Sequence, residues 1–90
     1  MKTVRIEFLG VETKKDAHKV IKEALGFPEY YGGNLDALYD CLTEFCRDTL
    51  IVIRYSSELK KLGEYGDSLL ETFKDVEQAV KGLQLVITEL

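Results

Sequence analysis

The chain has 90 residues, of which 46% are hydrophobic and 31% charged, and it carries a formal net charge of -4. This length fits a single domain spanning residues 1–90. The acidic excess argues against direct nucleic-acid binding, which requires a basic stripe, and favours either a basic partner or no partner. No apolar run approaches the roughly 18 residues that span a membrane, and the amino terminus lacks a signal-peptide pattern, so we expect a cytoplasmic protein without membrane contact.

The first half of the chain is predicted to form one strand and two helices. Apolar alternation predicts a strand over residues 3–9. Thr13 begins a capping-box pattern, so a helix is expected from there to Gly26. Residues 27–33 are rich in turn formers and predict a loop, and Asn34 is a suitable N-cap for a second helix. The apolar stripe of this second helix consists of Leu35, Leu38, Leu42 and Phe45.

The second half is predicted to form two strands and a helix, with an additional short helical turn. The β-branched run at residues 49–53 is typical of a strand buried on both faces, and residues 83–88 predict another buried strand. Between them we expect a short helical turn over residues 56–62 and a longer helix over residues 67–81. Alternating strands and helices predict an α/β fold, with a three-stranded parallel sheet and three to four helices packed on it.

Negative charge is concentrated in residues 29–48, which contain five acidic residues and one basic residue. Asp36, Asp40 and Glu44 are spaced four residues apart and therefore share one face of the second helix. Like charges at this spacing destabilise an isolated helix by about 0.2–0.5 kcal/mol per pair. Two interpretations remain open from the spacing alone: a solvated polar face or a binding site for a basic partner.

The loop before this helix favours the binding site. Tyr30 and Tyr31 are adjacent aromatic residues, and Gly32 and Gly33 follow them. One tyrosine can pack inward, but both are difficult to bury in one loop. An exposed aromatic side chain beside a row of carboxylates matches the composition of protein-binding hot spots.

No catalytic, metal or cofactor site is expected. His18 is the single histidine and is predicted to lie solvated on the polar side of the first helix. Cys41 has Asp40 beside it and no cation that would lower its pKa, so a nucleophilic thiol is not expected. The three carboxylates of the second helix come from one helix face and supply too few oxygen ligands for calcium.

The two cysteines are expected to be free thiols in a reducing compartment. Cys41 and Cys46 are five residues apart, which directs helical side chains roughly 140° from each other. That geometry is poor for a disulfide.

The loop and second helix carry the run FPEYYGGNLDALYDCLT at residues 27–43. This run resembles the signature of the barstar family, bacterial intracellular inhibitors of barnase-type ribonucleases. Element order and length agree with the family over the rest of the chain. The resemblance implies the same fold as the pattern above: a three-stranded parallel sheet with helices packed against it.

The resemblance also implies a site. In the family, the second helix and the preceding loop block the nuclease active site in a non-covalent one-to-one complex, with carboxylates in place of RNA phosphates. Asp40 is then the central anion, Asp36 the next in weight, and Tyr30 stacks near the catalytic histidine of the enzyme. The remaining contact residues implied are Gly32, Asn34, Leu35, Tyr39, Thr43, Phe45 and Asp75, with Glu44 as a steering charge at the rim.

Two departures keep an alternative open. Tyr39 and Phe45 stand where a well-studied family member has tryptophan, and Asp75 stands where it has a glutamate. The alternative is a barstar-like binding module whose basic partner is another toxin nuclease or a regulatory protein. In either case we expect a protein that is monomeric when free and acts in antitoxin or immunity defence.

Overall fold

The computed structural model describes residues 1–90, which form an α/β fold. No helix is both long enough and apolar enough to cross a membrane. The predicted three-stranded parallel sheet with three to four helices is confirmed. The elements in chain order are β1 (Lys2–Glu7), α1 (Lys14–Leu25), α2 (Leu35–Phe45), β2 (Thr49–Arg54), a 3₁₀ helix (Ser56–Leu62), α3 (Glu64–Ala79) and β3 (Gln84–Ile87).

The three strands lie side by side in chain order, β1-β2-β3, and both pairs are parallel. The register aligns Val4 with Ile51 and Ile51 with Leu85. Right-handed crossovers that advance in one direction place all their helices on the same face of the sheet. The burial pattern agrees, since Val4, Ile6, Ile51 and Ile53 are buried while the residues between them are exposed or half-buried.

The prediction that the second and third strands are buried on both faces is wrong. In β2 the buried Ile51 and Ile53 alternate with half-buried Leu50 and Val52. β3 contains no buried residue, and 46% of Val86 is exposed. The physical reason is that every helix covers the same face, so the opposite face of the sheet stays in contact with solvent.

Both predicted N-caps are confirmed. The Thr13 hydroxyl accepts a hydrogen bond from the Asp16 N–H at 3.0 Å, and the Asp16 carboxylate accepts one from the Thr13 N–H at 3.2 Å. The Asn34 side chain accepts from the Ala37 N–H at 2.8 Å. Each cap satisfies donors that the first helical turn leaves without partners, and so fixes where α1 and α2 begin.

The third helix differs from its predicted bounds: it begins at Glu64 rather than residue 67 and ends at Ala79 rather than residue 81. Gly66 lies in the first turn of α3. Because glycine has a low helix propensity, the sequence favours a helix that starts after this residue. A Cβ on Gly66 would overlap the carbonyl oxygen of Leu59 in the 3₁₀ helix. Glycine is therefore required for α3 to pack closely against that helix.

We expect Gly66→Ala to destabilise the fold by about 2–3 kcal/mol, because the added methyl group meets backbone rather than a movable side chain. Ser68→Ala, an exposed substitution in the same helix, should stay within about 0.5 kcal/mol of the parent. Urea unfolding of both variants measures the difference. Equal stabilities for the two variants would show that α3 does not depend on this close approach.

Candidate partner-binding site

α2 presents one apolar side to the core and one polar side to solvent. Leu38 and Leu42 are fully buried, Cys41 is 6% exposed, and Leu35 is half-buried. α2 packs against α3. This arrangement confirms the predicted apolar stripe as far as Leu42, and it directs the opposite side of the helix outward.

The outward side of α2 carries an acidic face, formed by Asp36, Asp40 and Glu44. All three residues are exposed, and successive members lie about 40° apart around the helix. None of them forms an ion pair, since the three ion pairs of the chain are elsewhere, at Lys22–Glu29, Arg54–Glu7 and Lys61–Glu58. The last turn of α2 contains no basic residue that could offset the charge. The acidic face is thus left uncompensated within the chain.

The two tyrosines of the loop have opposite orientations, as expected. Tyr30 is 73% exposed. Tyr31 is half-buried, with its ring 5.1 Å from that of Phe27 and its N–H donating to the Pro28 carbonyl at 3.0 Å. Tyr31 therefore anchors the loop while Tyr30 remains available to a partner.

The glycines place the loop between α1 and α2. A Cβ on Gly32 would lie 3.4 Å from the Ala37 Cβ in the first turn of α2, and one on Gly33 would lie 3.8 Å from the Cβ of His18 in α1. Gly33 also has a positive φ of 66°, a conformation that glycine adopts without steric cost. The loop consequently follows the surface of both helices, beside the start of the acidic face.

The prediction that His18 is solvated is wrong. It is 4% exposed, and its Nδ1 and Nε2 atoms each form a 2.6 Å hydrogen bond, to the hydroxyls of Tyr31 and Tyr65 respectively. These bonds connect α1, the loop and α3. The signal for this burial was available, because His18 lies three residues before Ile21 and seven before Leu25, both on the buried side of α1.

The position of the proton on the His18 ring decides which group donates in each of its two hydrogen bonds. A neutral imidazole donates from one ring nitrogen and accepts at the other, so one tyrosine hydroxyl accepts and the other donates. Burial lowers the pKa of His18 below its ordinary value of 6.5 and raises the pKa of Tyr31. Burial therefore favours the neutral forms of both groups, and the neutral imidazole can still form both hydrogen bonds.

Asp75 is an exposed residue in the second half of α3. A cleft of about 640 Å³ between the carboxyl ends of α2 and α3 is lined by Thr43 of α2 and Ala79 of α3. Asp75 is exposed and stands one turn before Ala79, on the same side of the helix. Thr43 lies one turn after Tyr39, and the Thr43 hydroxyl donates a hydrogen bond to the Tyr39 carbonyl at 2.8 Å. Thr43 therefore lies at the cleft between α2 and α3, with Tyr39 one turn before it. The role of Asp75 in binding stays a prediction.

Phe45 is the predicted contact residue that the structure sets apart from the others on α2. Around the helix it lies about 140° from Asp40 and 180° from Asp36. Its ring is 6.2 Å from the ring of Phe27, on the side of α2 that faces the core, although 46% of Phe45 is exposed at the helix end. Its role in binding stays a prediction.

The other chemical groups offer little reactivity. Both cysteines are free and buried, as expected of unpaired thiols. Burial raises the pKa of the Cys46 thiol to about 11, and burial together with the charges of Glu44 and Asp40 raises that of Cys41. No group of three or more histidine, cysteine or acidic side chains is arranged to hold a metal ion.

Together the fold and the site define an α/β protein with an uncompensated acidic helix beside an exposed tyrosine. The family model described as "Barstar (barnase inhibitor)" matches residues 1–88. The chain is also 34% identical over 91 residues to a protein of Bacillus subtilis (strain 168) named "Putative ribonuclease inhibitor YrdF", covering 99% of this chain and all of the relative. This chain belongs to the barstar family, and the resemblance carried by residues 27–43 is confirmed.

The buried, neutral His18 predicts a loss of stability in mildly acidic solution. The unfolded state takes up a proton first as the pH falls through about 6.5, because the pKa of His18 is lower in the folded state. The free energy of unfolding should therefore be constant above this pH and decrease below it, levelling once the folded-state pKa is passed. Urea unfolding between about pH 7.5 and pH 5 measures the slope, above the range in which most carboxylates titrate.

His18→Gln is the matched control for this slope. The variant retains a polar side chain but has no titrating group, so its stability should be lower overall and nearly independent of pH in the same window. An unchanged slope in His18→Gln would assign the effect to another group.

Proposed function

We propose that this protein inhibits a basic, barnase-type ribonuclease by covering the active site of the enzyme in a non-covalent one-to-one complex. The observation that carries the proposal is the acidic face, whose three carboxylates are exposed and have no ion-pair partner in the chain. Membership of a family described as barnase inhibitors and the name of the Bacillus subtilis relative both support it.

The mechanism follows from the charge of the target. A ribonuclease needs a cationic cleft to bind the phosphates of RNA, so carboxylates held at suitable positions compete with the substrate for the same cations. Attraction between oppositely charged protein surfaces also accelerates association by about 10–10³-fold at low salt. Speed matters for a protein that must protect cellular RNA from a toxic nuclease.

The acidic face is suited to this task because its helix is already ordered. Leu38 and Leu42 hold α2 in the core and Asn34 caps its start. Binding then requires little additional ordering of the backbone, which preserves more of the interaction energy as affinity.

Each residue of the proposed site has a distinct role. Asp40 supplies the central anion, Asp36 a second anion, and Glu44 a steering charge at the rim. Tyr30 places its ring over the catalytic residues of the enzyme. The surrounding contact is made by Gly32, Asn34, Leu35, Tyr39, Thr43 and Asp75, with Phe45 at the edge of the surface.

We further propose that the protein has no catalytic activity of its own, is monomeric when free and resides in the cytoplasm. The absence of catalysis is supported by the raised pKa values of both thiols and by His18, whose two ring nitrogens are already hydrogen-bonded. The two free, buried cysteines suit a reducing compartment.

Asp40→Ala should weaken binding to a purified barnase-type ribonuclease by about 2–5 kcal/mol, because cations of the enzyme are left buried without a partner. Glu64→Ala, which removes an exposed carboxylate at the start of α3, should leave the affinity nearly unchanged. Titration calorimetry, with RNA cleavage assayed in parallel, measures both. Thermal unfolding checks that each variant keeps its fold.

The outcomes separate this proposal from its alternative. Equal affinities for Asp40→Ala and Glu64→Ala would remove the acidic face from the binding site. Absence of any ribonuclease binding would favour a different basic partner for the same surface, an alternative consistent with Tyr39 and Phe45 replacing larger aromatic residues. Binding that abolishes cleavage and weakens as salt is raised supports the proposed mechanism.

A further inference from the structure

A second charged surface lies on the α1 side of the loop. We call it the lysine cavity: a concave site of about 460 Å³ lined by Lys15, Lys19 and Lys22 of α1 together with Gly32 and Gly33 of the loop. Its volume falls within the range of about 300–1,000 Å³ that is common for small-ligand pockets. Its lining contains three lysines and no carboxylate, although the whole chain is acidic.

The cations of the lysine cavity are largely unused within the chain. Lys15 and Lys19 form no ion pair, and Lys22 pairs at 3.0 Å with Glu29, whose side chain is 97% exposed. An ion pair of this kind in water contributes little. The spacing of i, i+4 and i+7 aligns the three lysines along one side of α1, over about 10.5 Å of helix axis.

The loop adds two donors. The backbone N–H groups of Gly32 and Gly33 make no hydrogen bond within the chain, and glycine leaves the backbone open to close approach by a ligand. Free N–H groups in a concave turn bind anions. His18 and Tyr31, joined at 2.6 Å, also line the cavity and hold the loop in place beside the lysines. The cavity is therefore preformed.

We propose that the lysine cavity binds a compact polyphosphate group, either inorganic or at the end of a nucleotide. Three ammonium groups spread along the helix match two or more linked phosphates better than one, and glycine N–H groups supply the directional contacts. A nucleic-acid polymer is disfavoured, since a chain extending beyond the loop would approach the carboxylates of the acidic face. The lysine cavity shares Gly32 with the proposed ribonuclease contact, but its three lysines lie outside that contact. Anion binding can therefore be tested without the enzyme.

The test is a titration of the free, full-length protein with inorganic pyrophosphate in magnesium-free buffer, followed by ¹H–¹⁵N NMR and calorimetry. The expected result is saturable binding with the largest amide shifts at Gly32 and Gly33. Lys15→Gln with Lys19→Gln should weaken binding by about tenfold or more. The matched control, Lys60→Gln with Lys74→Gln, removes two exposed lysines that are outside every cavity and ion pair and should leave affinity within about twofold.

Further ligands distinguish the sources of the anion. A nucleoside diphosphate that binds more tightly than pyrophosphate identifies a nucleotide, whereas equal affinities identify the polyphosphate group alone. Three results would overturn the proposal: shifts that do not saturate, equal losses in the two double variants, or tighter binding of a short oligoribonucleotide without terminal phosphates. Circular dichroism of each variant establishes that the fold is retained.

Discussion

One-sided packing is the constraint on which the rest of this structure depends. The strands follow one another in the order β1-β2-β3, and with right-handed crossovers this order brings all helices to the same face of the sheet. α2 packs against α3 and buries Leu38 and Leu42, so its opposite side meets solvent. An exposed helix face is thus a consequence of the topology, and the chain places its carboxylates there.

The acidic face lowers the local stability of α2. Three like charges one turn apart disfavour the helix, and only Asp36 lies in the first turn, where the helix dipole stabilises an anion. The buried side of α2 and the Asn34 cap compensate for this repulsion. A sequence shaped by stability alone would place a lysine among these carboxylates. The missing counter-charge is the feature on which the proposed binding of a cationic partner rests.

The loop separates two surfaces of opposite charge. The acidic face begins on its α2 side, while the lysine cavity lies on its α1 side, and the buried His18 fixes the loop by bonding Tyr31 and Tyr65. The net charge of -4 conceals this division. In the proposed complex, surfaces of both signs on either side of Tyr30 would orient the partner as well as attract it.

Local patterns in the sequence were sufficient for several features. The caps at Thr13 and Asn34, the apolar side of α2 and the acidic face all depend on residues within a few positions of one another, because helix geometry alone aligns side chains at that spacing. That one of the two adjacent tyrosines packs inward and the other stays exposed also followed from the loop composition. Which one packs inward was decided by the tertiary structure, where Tyr31 contacts His18 and Phe27.

Other features depended on contacts between residues far apart in the chain. His18 is buried because Tyr65, 47 residues later, supplies its second hydrogen bond. Gly66 belongs inside α3 because Leu59 packs against it, and β3 is exposed because no helix crosses to its outer face. The lysine cavity likewise exists only where the loop folds back on α1. Periodicity and propensity report a residue's neighbours in sequence, whereas burial, close approach and cavity shape are decided by which distant elements the fold brings together.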